Sequence, residues 1–104
     1  MKKFHISIAT DNIENSVEDY SKRLGKSPDS QLDNQYAFWR TEYLNFSIRC
    51  DKSVPVGTLR HLGWEDSEAK TFSTDEDVNG VLWENFSAAL QLEEVAALWP
   101  EASH

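Results

Sequence analysis

The chain has 104 residues, 39% hydrophobic and 12% aromatic, enough for one compact core and too few for two. Ten basic against eighteen acidic side chains leave a formal charge of −8, which repels phosphate backbones and anionic lipid headgroups and disfavours nucleic-acid and membrane-surface partners. Four Trp, three Tyr and five Phe exclude a disordered acidic chain, because that much aromatic surface has to be buried.

Met1-Lys2-Lys3 opens the sequence with no apolar run of signal-peptide type, and no stretch approaches the ~20 apolar residues of a membrane span. A lone Cys50 cannot form an intrachain disulfide, so a reducing, cytoplasmic setting is expected. From Phe4 to Ala9 the chain alternates, with Phe4, Ile6 and Ile8 on one face of a strand and His5, Ser7 and Ala9 on the other. Asp11 and Asn12 suit a helix start, Ile13, Val17, Tyr20 and Leu24 keep helical spacing, and Gly25 sits where a C-cap belongs.

Lys26 to Asn34 is polar and holds Pro28, so any strand there is a poor edge strand. Tyr36 to Arg40 and Tyr43 to Arg49 read as a hairpin turning at Thr41 and Glu42, and Asp51 to Thr58, with Pro55 and Gly57, reads as a linker. Leu59 to Glu65 is a strand centred on His61. A short segment at Lys70 to Ser73, a turn at Asp75 to Gly80 and a strand at Val81 to Phe86 follow. Leu92, Val95, Ala96 and Trp99 then form the apolar stripe of a helix from Ala89 to Trp99, which Pro100 stops.

His5, His61 and Glu84 are the residues with chemistry to offer, each inside a predicted strand. Two imidazoles and one carboxylate form a facial ligand set that holds a divalent metal and leaves positions open for substrate. Asp75 to Gly80 also matches the first half of an EF-hand loop, but its twelfth position would be Phe86 where a bidentate glutamate is needed, so a solvated turn is the better reading. There is no Gly-rich phosphate loop, CxxC pair or serine elbow. Arg49 and Arg40 are candidates for an anionic substrate, or else solubilising charges. Trp39, Trp64 and Trp83 either line a pocket for an aromatic ligand, Trp39 foremost, or pack in the core.

Phe4-His5-Ile6-Ser7-Ile8, the Asp11 to Val17 helix start with Tyr20 and Leu24-Gly25, His61-Leu62-Gly63-Trp64, and Gly80 through Trp83-Glu84-Asn85-Phe86 resemble the vicinal oxygen chelate superfamily of glyoxalases, bleomycin and fosfomycin resistance proteins and extradiol dioxygenases. The nearest flavour is its cadmium-induced or organoarsenical-lyase branch, although the adjacent cysteine pair of that lyase is absent and arsenic chemistry is not expected. The resemblance implies an α+β fold of two βαβββ modules forming a cupped, mixed or mostly antiparallel sheet. It also implies a metal (Fe, Mn, Ni or Zn) on His5, His61 and Glu84, with Glu84 doubling as the catalytic carboxylate. A small oxygen-bearing substrate would chelate that metal in a lyase, isomerase or dioxygenase reaction.

The halves differ in length: His5 to Phe46 spans 41 positions and His61 to Glu84 only 23, a shortfall of 18. The expected plan is one domain over 1–104: a first module at 1–50, a reduced second module at 59–87 without its internal helix, and a C-terminal helix at 89–99 covering the face that helix would have covered. A pared-down half exposes apolar sheet, so a homodimer is expected. The alternative is a non-catalytic small-molecule-binding or acidic interaction module with a relic metal site.

Overall fold

The computed structural model describes residues 1–98; Trp99 and Pro100, where the sequence places the end of the last helix, lie outside the described residues. Strand β1 (Lys2–Thr10) shows the alternation expected of it, with His5, Ser7 and Ala9 buried and Phe4, Ile6 and Ile8 half-buried on the opposite face. Helix α1 (Ile13–Leu24) starts where Asn12 accepts a hydrogen bond from the Asn15 amide, which satisfies one of the unpaired N–H groups of the first turn. It ends at Gly25, whose φ of 75° is a left-handed conformation that costs a residue without a Cβ little.

Three strands follow: β2 (Ser30–Leu32), β3 (Tyr36–Arg40) and β4 (Leu44–Cys50), of which β3 and β4 form the expected hairpin. Strands β5 (Leu59–Asp66), β6 (Ser73–Glu76) and β7 (Leu82–Phe86) and helix α2 (Ala88–Leu98) complete an α+β fold around one seven-stranded mixed sheet, ordered β2-β3-β4-β1-β5-β7-β6. β1 runs parallel to β4 and antiparallel to β5, and β5 in turn runs parallel to β7. The sequence β3-β4-β1 on one side is thus mirrored by β6-β7-β5 on the other, related by an approximate two-fold axis between β1 and β5. His5 pairs with Gly63 and Ser7 with His61, so this two-fold exchanges His5 with His61.

Ile13 of α1 packs on Ala37, Trp39, Phe46 and Ile48, with Ile6, Ile8, Val17 and Tyr20 at the margin. Each such side chain fully removed from water contributes roughly 1.5–3 kcal/mol, so this layer is the main source of stability. Among the described residues no helix lies between β5 and β7. The same face there holds Phe4, Trp64 and Trp83, with the Phe4 ring centroid 5.3 Å from that of Trp64 and 6.2 Å from that of Trp83, and among the described residues no helix covers them: Lys2 Nζ lies 5.9 Å from the Trp64 ring centroid and Trp64 is 38% exposed.

Two expectations are corrected. The turn before β7 is Asp77 to Gly80, because Asp75 and Glu76 extend the edge strand β6 and pair with Trp83 and Leu82. All four β6 residues are exposed, and its two carboxylates discourage edge-to-edge pairing. Helix α2 does not replace the missing helix; it lies on the opposite face, burying Gln91 and Val95 over Tyr36, Phe38 and Asn45 and leaving Leu92 of the predicted stripe 38% exposed. The physical reason is Asn45, fully buried on that face, whose amide needs the partner that Gln91 supplies.

Among the described residues no helix is long and apolar enough to cross a membrane.

Candidate metal centre

On the α2 face, one transverse row of the sheet reads Asn45, His5, Gly63 and Glu84 across β4, β1, β5 and β7. Gly63 is the gap in this row. A Cβ there would fall on the Glu84 backbone carbonyl, so only glycine lets β7 approach closely enough to bring Glu84 toward His5 across the intervening strand. His61 enters from the next row on β5, opposite Ser7.

The three side chains converge. His5 Nε2 lies 2.9 Å from His61 Nε2, Glu84 Oε1 lies 3.0 Å from His61 Nε2 and 3.9 Å from His5 Nε2. Their ligand atoms all fall within 4.8 Å of one another, and the group could hold a metal ion. Ligands about 2.1 Å from a shared ion at right angles stand roughly 3 Å apart, which is the spacing of the two shorter contacts. The imidazoles are nearly sealed, His5 at 2% and His61 at 8% exposure. Phe86, set edge-on to His5 at 4.9 Å, excludes water from that side.

The tautomer of His5 is fixed from behind. Its Nδ1 lies 3.1 Å from both the carbonyl and the side-chain oxygen of Asn45, two acceptors, so Nδ1 carries the proton and Nε2 presents its lone pair to the centre. Asn45 is itself held the right way round: its Nδ2 donates to Glu65 Oε1 and Gln91 Oε1, both at 2.8 Å. Arg40 then grips Glu65 through two bonds of 2.7 Å. Burial pushes the Glu65 carboxyl up, but the bonds from Arg40 and Asn45 outweigh it and hold the group below the ordinary carboxylate range.

Burial, with the adjacent His61, pulls His5 from 6.5 down to about 4, against the raising influence of Asn45 and Glu84. The imidazole is therefore neutral at physiological pH, as a ligand has to be. Because His5 Nε2 is an acceptor, one proton on His61 Nε2 can satisfy either His5 or Glu84 but not both. A cation meets all three lone pairs at once, and on that count the donor set fits a divalent ion.

A cavity of about 130 Å³ opens beside the three residues, walled by Tyr36, Phe38, Phe72 and Phe86, by Arg49 and Arg60, and by Glu94, Val95 and Leu98 of α2. Of the expected substrate contacts, Arg49 lines it. Trp39 does not: alternation in β3 sends Tyr36 and Phe38 to the cavity and Trp39 to the α1 face, where it is fully buried with its indole N–H 3.4 Å from Ser21 Oγ. Trp64 and Trp83 lie on that same far face, and Trp83 donates to Asp77 Oδ2 at 2.8 Å. Asp77 otherwise accepts the amides of Asn79 and Val81, so the EF-hand-like stretch is a turn. Arg40 reaches the site only through Glu65 and Asn45. Glu84's counterpart under the two-fold is Ser47 and not Phe46, since Ser7 pairs with Ser47 as Gly63 pairs with Glu84.

Asn45, Gly63 and Arg60 carry no motif of their own. Asn45 and Gly63 were findable only by extending the His5 alternation across neighbouring strands, which requires the register. No protein-family model and no curated protein sequence matches the chain.

Proposed function

We propose that the chain is a divalent-metal protein of vicinal oxygen chelate type, with His5, His61 and Glu84 as ligands and a small oxygen-bearing molecule as substrate. The observation that carries the reading is the convergence of three donors from three strands, with the His5 lone pair turned inward by Asn45. The two-fold equivalence of His5 and His61 supports a paired-module origin, in which β1 to β4 form a βαβββ unit and β5 to β7 a unit that lacks the helix and the first of the three following strands. A bound dication would supply Lewis acidity toward a two-oxygen chelate. The chain's own part is to keep both imidazoles dry and His5 neutral, to orient His5 through the Arg40, Glu65 and Asn45 relay, and to leave a cavity on the open side.

Elemental analysis of tag-free protein tests this. The expected result is about one Fe, Mn, Ni or Zn ion per chain, as a three-ligand site binds, lost in His5→Ala and Glu84→Ala. No bound metal, together with no rise in melting temperature on adding any of the four ions, overturns it.

A further inference from the structure

We infer that Gln91 is a positioning residue for the metal centre, and that through it the docking of helix α2 over the cavity and the binding of the metal strengthen each other. The inference rests on the metal reading above and adds to it the element that regulates the site.

The first observation is how α2 sits. It leaves β7 through a single residue, Ser87, whose Oγ accepts the Leu90 amide and whose carbonyl accepts the Gln91 amide. The helix therefore starts directly from the strand that carries Glu84. Of its side chains only Gln91 and Val95 are buried, while Leu92 and Leu98 are 38% and 48% exposed. Space lies along both flanks. The cavity beside the metal centre is walled by Glu94, Val95 and Leu98, and a second cavity of about 190 Å³ is lined by Phe38 of β3 and by Ala88 and Leu92. Gln91 borders both. A helix carried on two buried side chains, with room on either side and a one-residue connection, can tilt as a unit, because elements with few buried apolar contacts open at low cost.

The second observation is what the buried polar side chain of α2 touches. Gln91 and Asn45 exchange two hydrogen bonds: Asn45 Nδ2 donates to Gln91 Oε1 at 2.8 Å, and Gln91 Nε2 donates to Asn45 Oδ1 at 3.3 Å. The same Oδ1 accepts the His5 Nδ1–H at 3.1 Å, and the other Nδ2 hydrogen goes to Glu65. Both donors and both acceptor sites of the Asn45 amide are thus in use, with α2 supplying one partner to the oxygen and one to the nitrogen.

The two observations combine into a linkage. With an ion on the His5 Nε2 lone pair, Nδ1–H becomes a stronger donor; its bond polarises the Asn45 amide, and the bonds from Nδ2 to Gln91 and Glu65 strengthen in turn. The ion therefore holds α2 down. By the reciprocity of linked equilibria, docked α2 raises metal affinity by the same factor. With α2 tilted away, Asn45 loses both bonds to Gln91 and the cavity loses a wall, so His5 is less firmly oriented where solvent enters.

The test measures hydrogen exchange of the α2 amides in the intact chain, without metal and with Fe, Mn, Ni or Zn added alone. The α1 amides serve as the reference, because bound metal stabilises the whole fold. Chelator competition gives the metal affinity of the same samples, and circular dichroism confirms that each variant is folded. In the wild type, the ion bound most tightly should slow α2 exchange about tenfold more than α1 exchange, within the usual range of coupling between sites. Gln91→Leu, which keeps a side chain of similar size without the amide, should abolish this extra slowing and weaken the metal by about the same tenfold. Val95→Ala, which loosens α2 without touching the amide pair, should speed α2 exchange in both forms yet keep the extra slowing. Equal slowing of α1 and α2, wild-type metal affinity in Gln91→Leu, or loss of the extra slowing in Val95→Ala as well overturns the inference and leaves the metal reading standing. A wild-type chain that takes up none of the four ions overturns both.

Discussion

In the half of the sheet made by β2, β3, β4 and β1, helix α1 seals one face over Ile13, Trp39, Phe46 and Ile48, none more than 8% exposed. In the half made by β5, β7 and β6 the corresponding face leaves Trp64 at 38%. The strand relations are nearly the same on both sides of the two-fold, so the difference is the helix. Stability is concentrated in the first half, while the candidate site draws one ligand from it and two from the lightly packed second half. The site thus depends on β5 keeping its register on β1, and Gly63 on that strand is where packing and ligand geometry meet.

The sharpest way to break this comparison is a pair of tryptophan truncations. Trp39→Ala should cost about 3–5 kcal/mol in urea unfolding, the usual loss for a buried aromatic and much of the ~5–15 kcal/mol typical of a domain. Trp64→Ala should cost only ~1 kcal/mol, since much of its surface already meets water. Equal losses would mean that a second copy of the chain covers the β5–β7 face in solution. Next in size is metal linkage: at a hundredfold excess over the dissociation constant, a metal should stabilise the wild type by about 2.7 kcal/mol, and it should leave His5→Ala unchanged. Thermal scans with and without the ion read this directly.

Gly63→Ala should cost about 1–3 kcal/mol, because the new Cβ drives β5 and β7 apart, and should weaken metal binding with it. A variant that loses stability but keeps wild-type metal affinity would show that β7 is not positioned through Gly63. Removing the amide in Asn45→Ala should lower metal affinity by about 10- to 100-fold, as loss of a ligand's hydrogen-bond partner does, measured by competition with a chelator. A further effect is with pH in the metal-free protein. His5 titrates at about 4 when folded and 6.5 when unfolded, so below pH 6.5 the unfolded chain takes up a proton that the folded one refuses, and stability falls until about pH 4. Glu65, held below its usual value when folded, withdraws its contribution as pH falls through the carboxylate range. His5→Gln should flatten the first segment of the curve and leave the second.

Much of the first half was legible because local rules agree there. Alternation in β1, the Asn12 and Gly25 caps of α1 and the β3–β4 hairpin all emerged from neighbours in sequence. The second half was harder. Ser73 to Glu76 is entirely polar and exposed, and it is a strand only because β7 offers an edge. Helix α2 is apolar on several sides, so periodicity could not choose its inward face, and a buried polar group on the sheet chose it instead.

The sequence by itself determined that His5 lies on the face opposite Phe4 and Ile6, and that His61 and Glu84 belong to strands, because side-chain direction in a strand follows from residue count alone. Only the tertiary structure decided that these three meet, that Trp39 lies under α1 and that Arg60 enters the cavity beside His61. Each of those outcomes turns on register between strands, and on one slipped pair between β1 and β5, which residue count along a single strand does not contain.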